Sequence, residues 1–298
     1  MLETIVGLSS RPEDRIAARR HLHQLVTRFT SHIVRNGTPH LSSLGRALDM
    51  LDAVLADGGR RGVSALARET NVPLATAHRH VASLAGNGFL TPLGGGRHVA
   101  GPRLLAIHAG MDVQAVLAEV SRQFLADAAR QLGCVVQLGT LDGDMVTYRV
   151  KEGRGAGALF TRVGMQLEAY CSAIGKVLLA HLPDGELARY LDGGPFVPLT
   201  ANTITRPDDL VRELECVRRE GRAFDREEIA ERLACIALPL RNGRGVVVAA
   251  ISASLSVVPG ELDALVQVLP ILSAVRDRIE TAVFGAAPSH PDHNGDHD

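Results

Sequence analysis

A chain of 298 residues with 46% hydrophobic content is long enough to bury two ordinary cores, and 3% aromatic content without tryptophan makes those cores aliphatic. Glu3, Glu13 and Asp14 interrupt the first twenty residues, which argues against a secretory leader, and the most apolar stretch, Gly245 to Val258, is too short to span a bilayer. The expectation is a soluble, cytoplasmic protein with no membrane partner. The net charge of −1 is unevenly spread: residues 1–40 carry six arginines against three acidic residues, residues 41–101 six against four, and the remainder twenty basic residues against twenty-six acidic ones. A polyanion-binding end, if there is one, is therefore expected towards the N-terminus.

Residues 1–40 read as an extension whose stretch Arg15 to Ile33 looks helical and basic. Residues 41–101 read as a compact α-helical unit. Ser42-Ser43 precede Leu44, Leu48, Leu51 and Leu55 at helical spacing, and Gly58-Gly59 end the pattern. A short helix from Val63 to Thr70 turns Val63, Leu66 and Ala67 inward. Asn71 then stands where a helix-turn-helix needs a left-handed residue, and Pro73 opens the next helix. Placing Leu74, Ala77, Val81 and Leu84 inward leaves Ala75, Thr76, Arg79 and Ser83 outside with His80 on the flank, and makes His78 a half-buried packing residue. Small, hydrogen-bonding and cationic side chains on one face suit a major groove, although a solvated arginine is the plainer reading of Arg79. Thr91 to Val99 reads as two short strands joined by glycines, a wing whose Arg97 can reach phosphate or the minor groove.

Residues 102–131 read as linker helices, and residues 132–284 as a domain of strand pairs enclosing helices. Cys134–Leu141 and Met145–Lys151 flank Asp142-Gly143, and Leu233–Leu240 and Val246–Ser254 flank Asn242 to Gly245, so two hairpins are expected. A helix is expected to begin near Ser172. Another is expected over Pro207 to Arg219, with Thr205 and Asp208 as a capping box. Residues 285–298 read as a disordered polar tail, and its His290, His293 and His297 are not expected to form a metal site. Cys134, Cys171, Cys216 and Cys235 show no paired spacing for zinc or disulfides. The motifs of the common nucleophilic, phosphate-binding and zinc hydrolases are absent, and the only histidine between His108 and the tail is His181, so neither catalytic residues nor a cofactor are expected.

The motifs carry a family resemblance. Arg46-Ala47-Leu48-Asp49-Met50-Leu51, then Ala67, Val72-Pro73, Thr76, Arg79, Leu84 and Gly88-Phe89, are similar to the helix-turn-helix of IclR-type transcriptional regulators. Tyr170 to Ala180, Gly221 to Glu228 and Cys235 to Leu240 resemble that family's C-terminal signatures in the same order. Asn71 in place of glycine and the extension before Leu41 depart from the pattern. The resemblance implies an α+β protein: a winged helix-turn-helix, a helical linker that helps form the dimer, and a GAF-like sensor domain with an antiparallel sheet. It implies as partners a double-stranded DNA operator, a small-molecule effector (an organic acid or aromatic catabolite) and a second copy in a homodimer or tetramer. By residue match it implies effector contacts at Ala173, Ile174, Asp225, Leu233, Cys235, Ser252 and Ser254. Leu233 and Cys235 also read as ordinary core, and Asp225 as a turn cap. The start of the helix at Ser172 to Gly175 is a place for an anion, because free amides and the positive dipole end meet there. A thiol-based redox regulator using Cys171 and Cys235 is the alternative.

Overall fold

The computed structural model describes residues 42–155, 157, 159–256 and 263–285. They fall into two compact units, one ending at Asp112 and the other starting at Val113. The extension at 1–40, with its expected helix from Arg15 to Ile33, and the tail histidines lie outside the described residues.

The first unit holds α1 (Ser42–Asp57), α2 (Val63–Glu69), α3 (Leu74–Gly86), β1 (Leu90–Leu93), β2 (Arg97–Ala100) and α4 (Pro102–Ala109). Its core joins Met50, Leu51 and Val54 of α1 to Val63, Leu66 and Ala67 of α2, Ala77 and Val81 of α3, and Leu90. The stripe expected on α1 needs correction. Leu44 and Leu48 are 57% and 50% exposed, and the buried face instead runs through Met50, Leu51, Val54 and Asp57. Buried Asp57 fixes that rotation, since its carboxylate accepts the amides of Arg60 and Arg61 at 2.7 Å each and the Arg61 side chain at 2.7 Å. Burial alone would raise its pKa, but the hydrogen bonds from Arg61 and Arg60 outweigh burial and hold it below the usual range. Arg61 also reaches Glu69 at 2.8 Å, which ties the end of α1 to α2.

Asn71 adopts φ 53° between α2 and α3, as the helix-turn-helix reading requires. Pro73 is the cap rather than the first helical residue, with its carbonyl accepting the amides of Thr76 and Ala77. The wing strands pair from Leu90↔Ala100 to Leu93↔Arg97, around a turn in which Gly95 and Gly96 have φ near 73°. The Gly96 carbonyl accepts the Val63 amide at 3.1 Å, so the wing turn also caps α2.

The second unit is one antiparallel six-stranded sheet with helices on both faces. Its elements are α5 (Val113–Leu132), β3 (Val135–Asp142), β4 (Met145–Glu152), β5 (Gln166–Glu168), α6 (Ala173–Ala180), α7 (Asp184–Leu191), α8 (Pro207–Glu220), β6 (Ala223–Arg226), β7 (Leu233–Arg241), β8 (Val247–Ser256), α9 (Asp263–Gln267) and α10 (Leu269–Phe284). The strand order is β5-β4-β3-β8-β7-β6. Both expected hairpins form, with Gly143 and Gly245 at positive φ in their turns. The helical run expected over 102–131 is two helices, the first ending at Gly110. The capping box at Thr205 does not form, because Arg206 is the cap of α8 and its side chain makes no capping bond.

Strand alternation divides the sheet into two surfaces. Val136, Leu138, Ile236, Leu238, Ile251 and Ala253 face one way and pack with α5 and α10. Ala237 and Ala250 face the other way and pack with α6 and α8. Between Leu138 and Gly139 the partner on β4 jumps from Val150 to Tyr148, leaving Arg149 as a bulge. The bulge changes the face of β4, so Val150 joins the first core while Val146 and Tyr148 join the second.

Candidate functional site

On α3 the outer face is Ala75, Arg79 and Ser83, all exposed, with Thr76 half-buried at its side. Two sequence expectations about this helix are overturned. His80 is only 9% exposed, so it is not on the outer face, and its Nε2 has no hydrogen-bond partner among the described residues. His78, expected to pack, is exposed. Both errors have one cause. Leu74 sits in the first turn and is 50% exposed, so the buried stripe centres on Ala77, Val81 and Leu84 without it, which turns the stripe towards His80 and away from His78. His80 lies only about 60° round the helix from Ala77. Arg97 is exposed at the wing and donates from Nε to its own turn carbonyl, Gly94, at 3.0 Å.

The second unit encloses a cavity beside the N-terminus of α6. Ala173, Ile174, Asp225, Leu233, Cys235, Ser252 and Ser254 all line it. Registration explains the convergence: Asp225 pairs with Cys235 and Cys235 with Ser254, while Ser252 pairs with Gln137 in the next row of the same face. The residues beneath α6 are small. A Cβ on Gly139 would stand 3.0 Å from Ile174, so this glycine lets α6 sit low on β3, and one on Gly175 would meet the backbone of Ala169 just after β5. Ile174 is 2% exposed and fills the space over Gly139.

Ser172 caps α6 by accepting the Gly175 amide at 3.1 Å. The anion place inferred at Ser172 to Gly175 is thereby reduced, because the Gly175 amide is taken; Ala173 and Ile174, the other first-turn residues, line the cavity. Asp225 is 1% exposed; its Oδ1 accepts the Glu228 amide at 2.7 Å, and its Oδ2 has no hydrogen-bond partner among the described residues. Burial, and then the Glu228 charge, push its pKa up to about 7 against the pull of the Glu228 amide. Behind the wall, fully buried Lys176 donates to Glu228 at 2.6 Å and Glu213 at 2.9 Å. Burial outweighs Lys176 at Glu228, whose pKa is raised. Glu227, between Asp225 and Glu228, holds φ 62°, a conformation that non-glycine residues rarely adopt.

Both thiols of the alternative reading are hard to ionise. Burial, then Asp225, push Cys171 up to about 12, and the same two causes in the same order push Cys235 well above its ordinary value. His181 lies outside the cavity wall, bonded to Val177 and Arg241.

Gln137, Tyr148 and Ile229, and the segment Leu159, Phe160 and Thr161, also line the cavity and are not among the residues expected from sequence, whereas Ser172 is, as part of the anion place. Gln137 left a signal: it is the one polar residue in the run Val135-Val136-Gln137-Leu138. Leu159 to Thr161 left none, because they reach the cavity from a loop.

Residues 111–280 match the model of the bacterial transcriptional regulator IclR C-terminal domain, and residues 43–94 match the IclR helix-turn-helix domain. The chain belongs to the IclR family. The HTH-type transcriptional regulator XynR of Escherichia coli (strain K12) is 28% identical over 222 residues, which cover 72% of this chain and 86% of that one. The crystal structure of Thermotoga maritima IclR superposes with a TM-score of 0.53 at 28% identity, covering 83% of this chain and 100% of that one. An IclR homolog from Microbacterium hydrocarbonoxydans, in complex with 4-hydroxybenzoate, superposes with a TM-score of 0.54 at 26% identity, covering 81% and 98%. This IclR-family chain is thus a transcriptional regulator with a helix-turn-helix and an effector-binding domain, in a family of regulators and not of enzymes. Among its described residues no single helix is long and apolar enough to cross a membrane.

Proposed function

We propose that the cavity beside α6 binds a small organic acid, and that its occupancy changes how a homodimer of DNA-reading heads engages an operator. What carries the reading is the convergence of Ala173 and Ile174 with Asp225, Cys235, Ser252 and Ser254 from four separate elements on one cavity. The 4-hydroxybenzoate bound by the Microbacterium relative is an acid of this class. The head at 41–101 reads DNA through Ala75, Thr76, Arg79 and Ser83, with Arg97 on the backbone, and residues 132–284 sense the acid. Pairing is favoured by the exposed leucines Leu44, Leu48 and Leu55 of α1, an apolar stripe that a second copy would cover. Acid sensing is preferred to thiol redox because the raised pKa values of Cys171 and Cys235 suppress the thiolate.

A thermal-shift screen of carboxylic acids, each beside its neutral amide, tests the sensor. A selective acid should raise the melting temperature more than its amide does, because charge-assisted hydrogen bonds are the stronger ones. Equal shifts for acid and amide would remove the α6 amides from recognition. The DNA face has its own test. Arg79→Ala should cost about 1–3 kcal/mol on specific DNA and little on random DNA, whereas Arg97→Ala should weaken both alike. Equal losses for Arg79→Ala on the two DNAs would exclude base readout by this residue.

A further inference from the structure

Gln137 connects two parts of the cavity wall. It is 3% exposed, and its Oε1 accepts the Ser254 hydroxyl at 3.3 Å while its Nε2 donates to the Thr161 hydroxyl at 2.8 Å. Cys235 donates in turn to the Ser254 hydroxyl at 3.2 Å, so a chain of hydrogen bonds runs from β7 through β8 and β3 to the loop before β5. Thr161 is the inward anchor of that loop. It is 6% exposed, whereas Phe160 and Val163 are 44% and 56% exposed.

The Leu159 amide donates to the Gly155 carbonyl at 3.2 Å, and among the described residues the other bonds that hold Leu159 to Thr161 over the cavity come from side chains. Besides Gln137, Lys151 donates from Nζ to the Leu159 carbonyl at 3.1 Å and to the Thr161 carbonyl. Main-chain pairing to β4 starts further on, where the Gly164 amide donates to the Tyr148 carbonyl at 2.8 Å and the Tyr148 amide to the Met165 carbonyl at 3.1 Å. Beneath the loop the cavity measures about 20 Å³, on the scale where one water needs roughly 10–15 Å³. At that size an organic acid fits only if the wall moves, and an outward movement of Leu159 to Thr161 breaks the bond from Gln137 to Thr161. A buried amide left without a partner is costly, so a ligand that supplies an acceptor in Thr161's place gains from Gln137 what the loop gives up.

We propose that Gln137 is a specificity-determining residue of this cavity: its amide holds Thr161 while the cavity is empty and turns to an acceptor oxygen of the ligand once Leu159 to Thr161 swing out. The ligand class is then an acid with a second oxygen acceptor, positioned towards β3. This rests on the reading of the cavity as the acid site, but half of its test needs no ligand.

Cys235 lines the cavity and serves as the reporter. Full-length protein is treated with methyl methanethiosulfonate, and the labelling rate at each cysteine is read by peptide mass spectrometry. This is done with and without millimolar acetate, pyruvate or 4-hydroxybenzoate. Without acid, Thr161→Val and Gln137→Leu should label Cys235 roughly fivefold faster than wild type, as expected for loss of one hydrogen bond. Thr161→Ser, which keeps the hydroxyl, should return to the wild-type rate, and Cys134 and Cys216 should not change. An acid that protects Cys235 in wild type should still protect it in Thr161→Val but less in Gln137→Leu. Thr161→Val has the shape of threonine and carries the first half alone should Gln137→Leu fail to fold. Equal Cys235 rates in wild type and Thr161→Val would overturn the latch, and undiminished protection in Gln137→Leu would overturn its turn to the ligand. Faster labelling in Thr161→Val with no protection of wild type by any of the three acids would count against the acid site and leave the latch standing.

Discussion

Asp225→Asn should make the protein more stable than wild type at pH 8 and equally stable near pH 4. The native carboxyl is raised to about 7 by burial, against an ordinary value of 3.8. The folded state therefore binds more protons than the unfolded state between those values. The stabilisation this provides is complete below the unfolded value and is lost as pH rises through the folded one. About three pKa units at ~1.36 kcal/mol each give a loss of about 4 kcal/mol between pH 4 and pH 8. Asparagine keeps an oxygen to accept the Glu228 amide and does not titrate, so this pH slope should vanish. Denaturant titrations of both proteins from pH 4 to 8.5 measure it, and parallel curves would show that Asp225 ionises without cost. From sequence alone, this change is expected to alter ligand preference more than stability. The burial of Asp225 adds a stability effect to that expectation.

Lys176→Met should be the most damaging single change behind the cavity. Lys176 is fully buried between Glu213 and Glu228, and Glu228 Oε2 has no hydrogen-bond partner among the described residues. Removing the ammonium leaves a buried carboxylate beside a second one, which costs about 3–5 kcal/mol. Adding Glu228→Leu should recover more than half of that loss, because the uncompensated charge goes with it. The loss should also shrink as pH falls and the raised Glu228 carboxyl takes up its proton. Urea titrations of the single and double variants decide it. An unrecovered double variant would mean that Lys176 acts by packing rather than by charge.

The elements that local chemistry specifies were legible in the sequence. Asp142-Gly143 and Asn242 to Gly245 marked both long hairpins, Ser172 marked the start of α6, and Asn71 marked the turn of the head. Strand alternation placed Ser252 with Ser254 and Leu233 with Cys235. What stayed hidden depends on tertiary partners. The rotation of α1 is set by Asp57 and its arginines, and that of α3 by the exposed first-turn Leu74. The three-residue β5 and four-residue β6 are too short for a periodic pattern and exist by pairing with β4 and β7. Gln137 was readable as a polar interruption of an apolar strand. Thr161 became visible only once the loop was in place.

An acid in the α6 cavity should change operator affinity. Fluorescence anisotropy on an operator fragment selected from random DNA by the wild-type protein measures this directly, titrated with and without the acid that the thermal screen selects. Wild type should change its operator affinity with acid. Ser252→Ala should bind the operator normally without acid and need about two- to tenfold more acid for the same change, the loss of one hydroxyl contact. A response to acid that is identical in Ser252→Ala and Asp225→Asn to that of wild type would place the sensing site outside the α6 cavity.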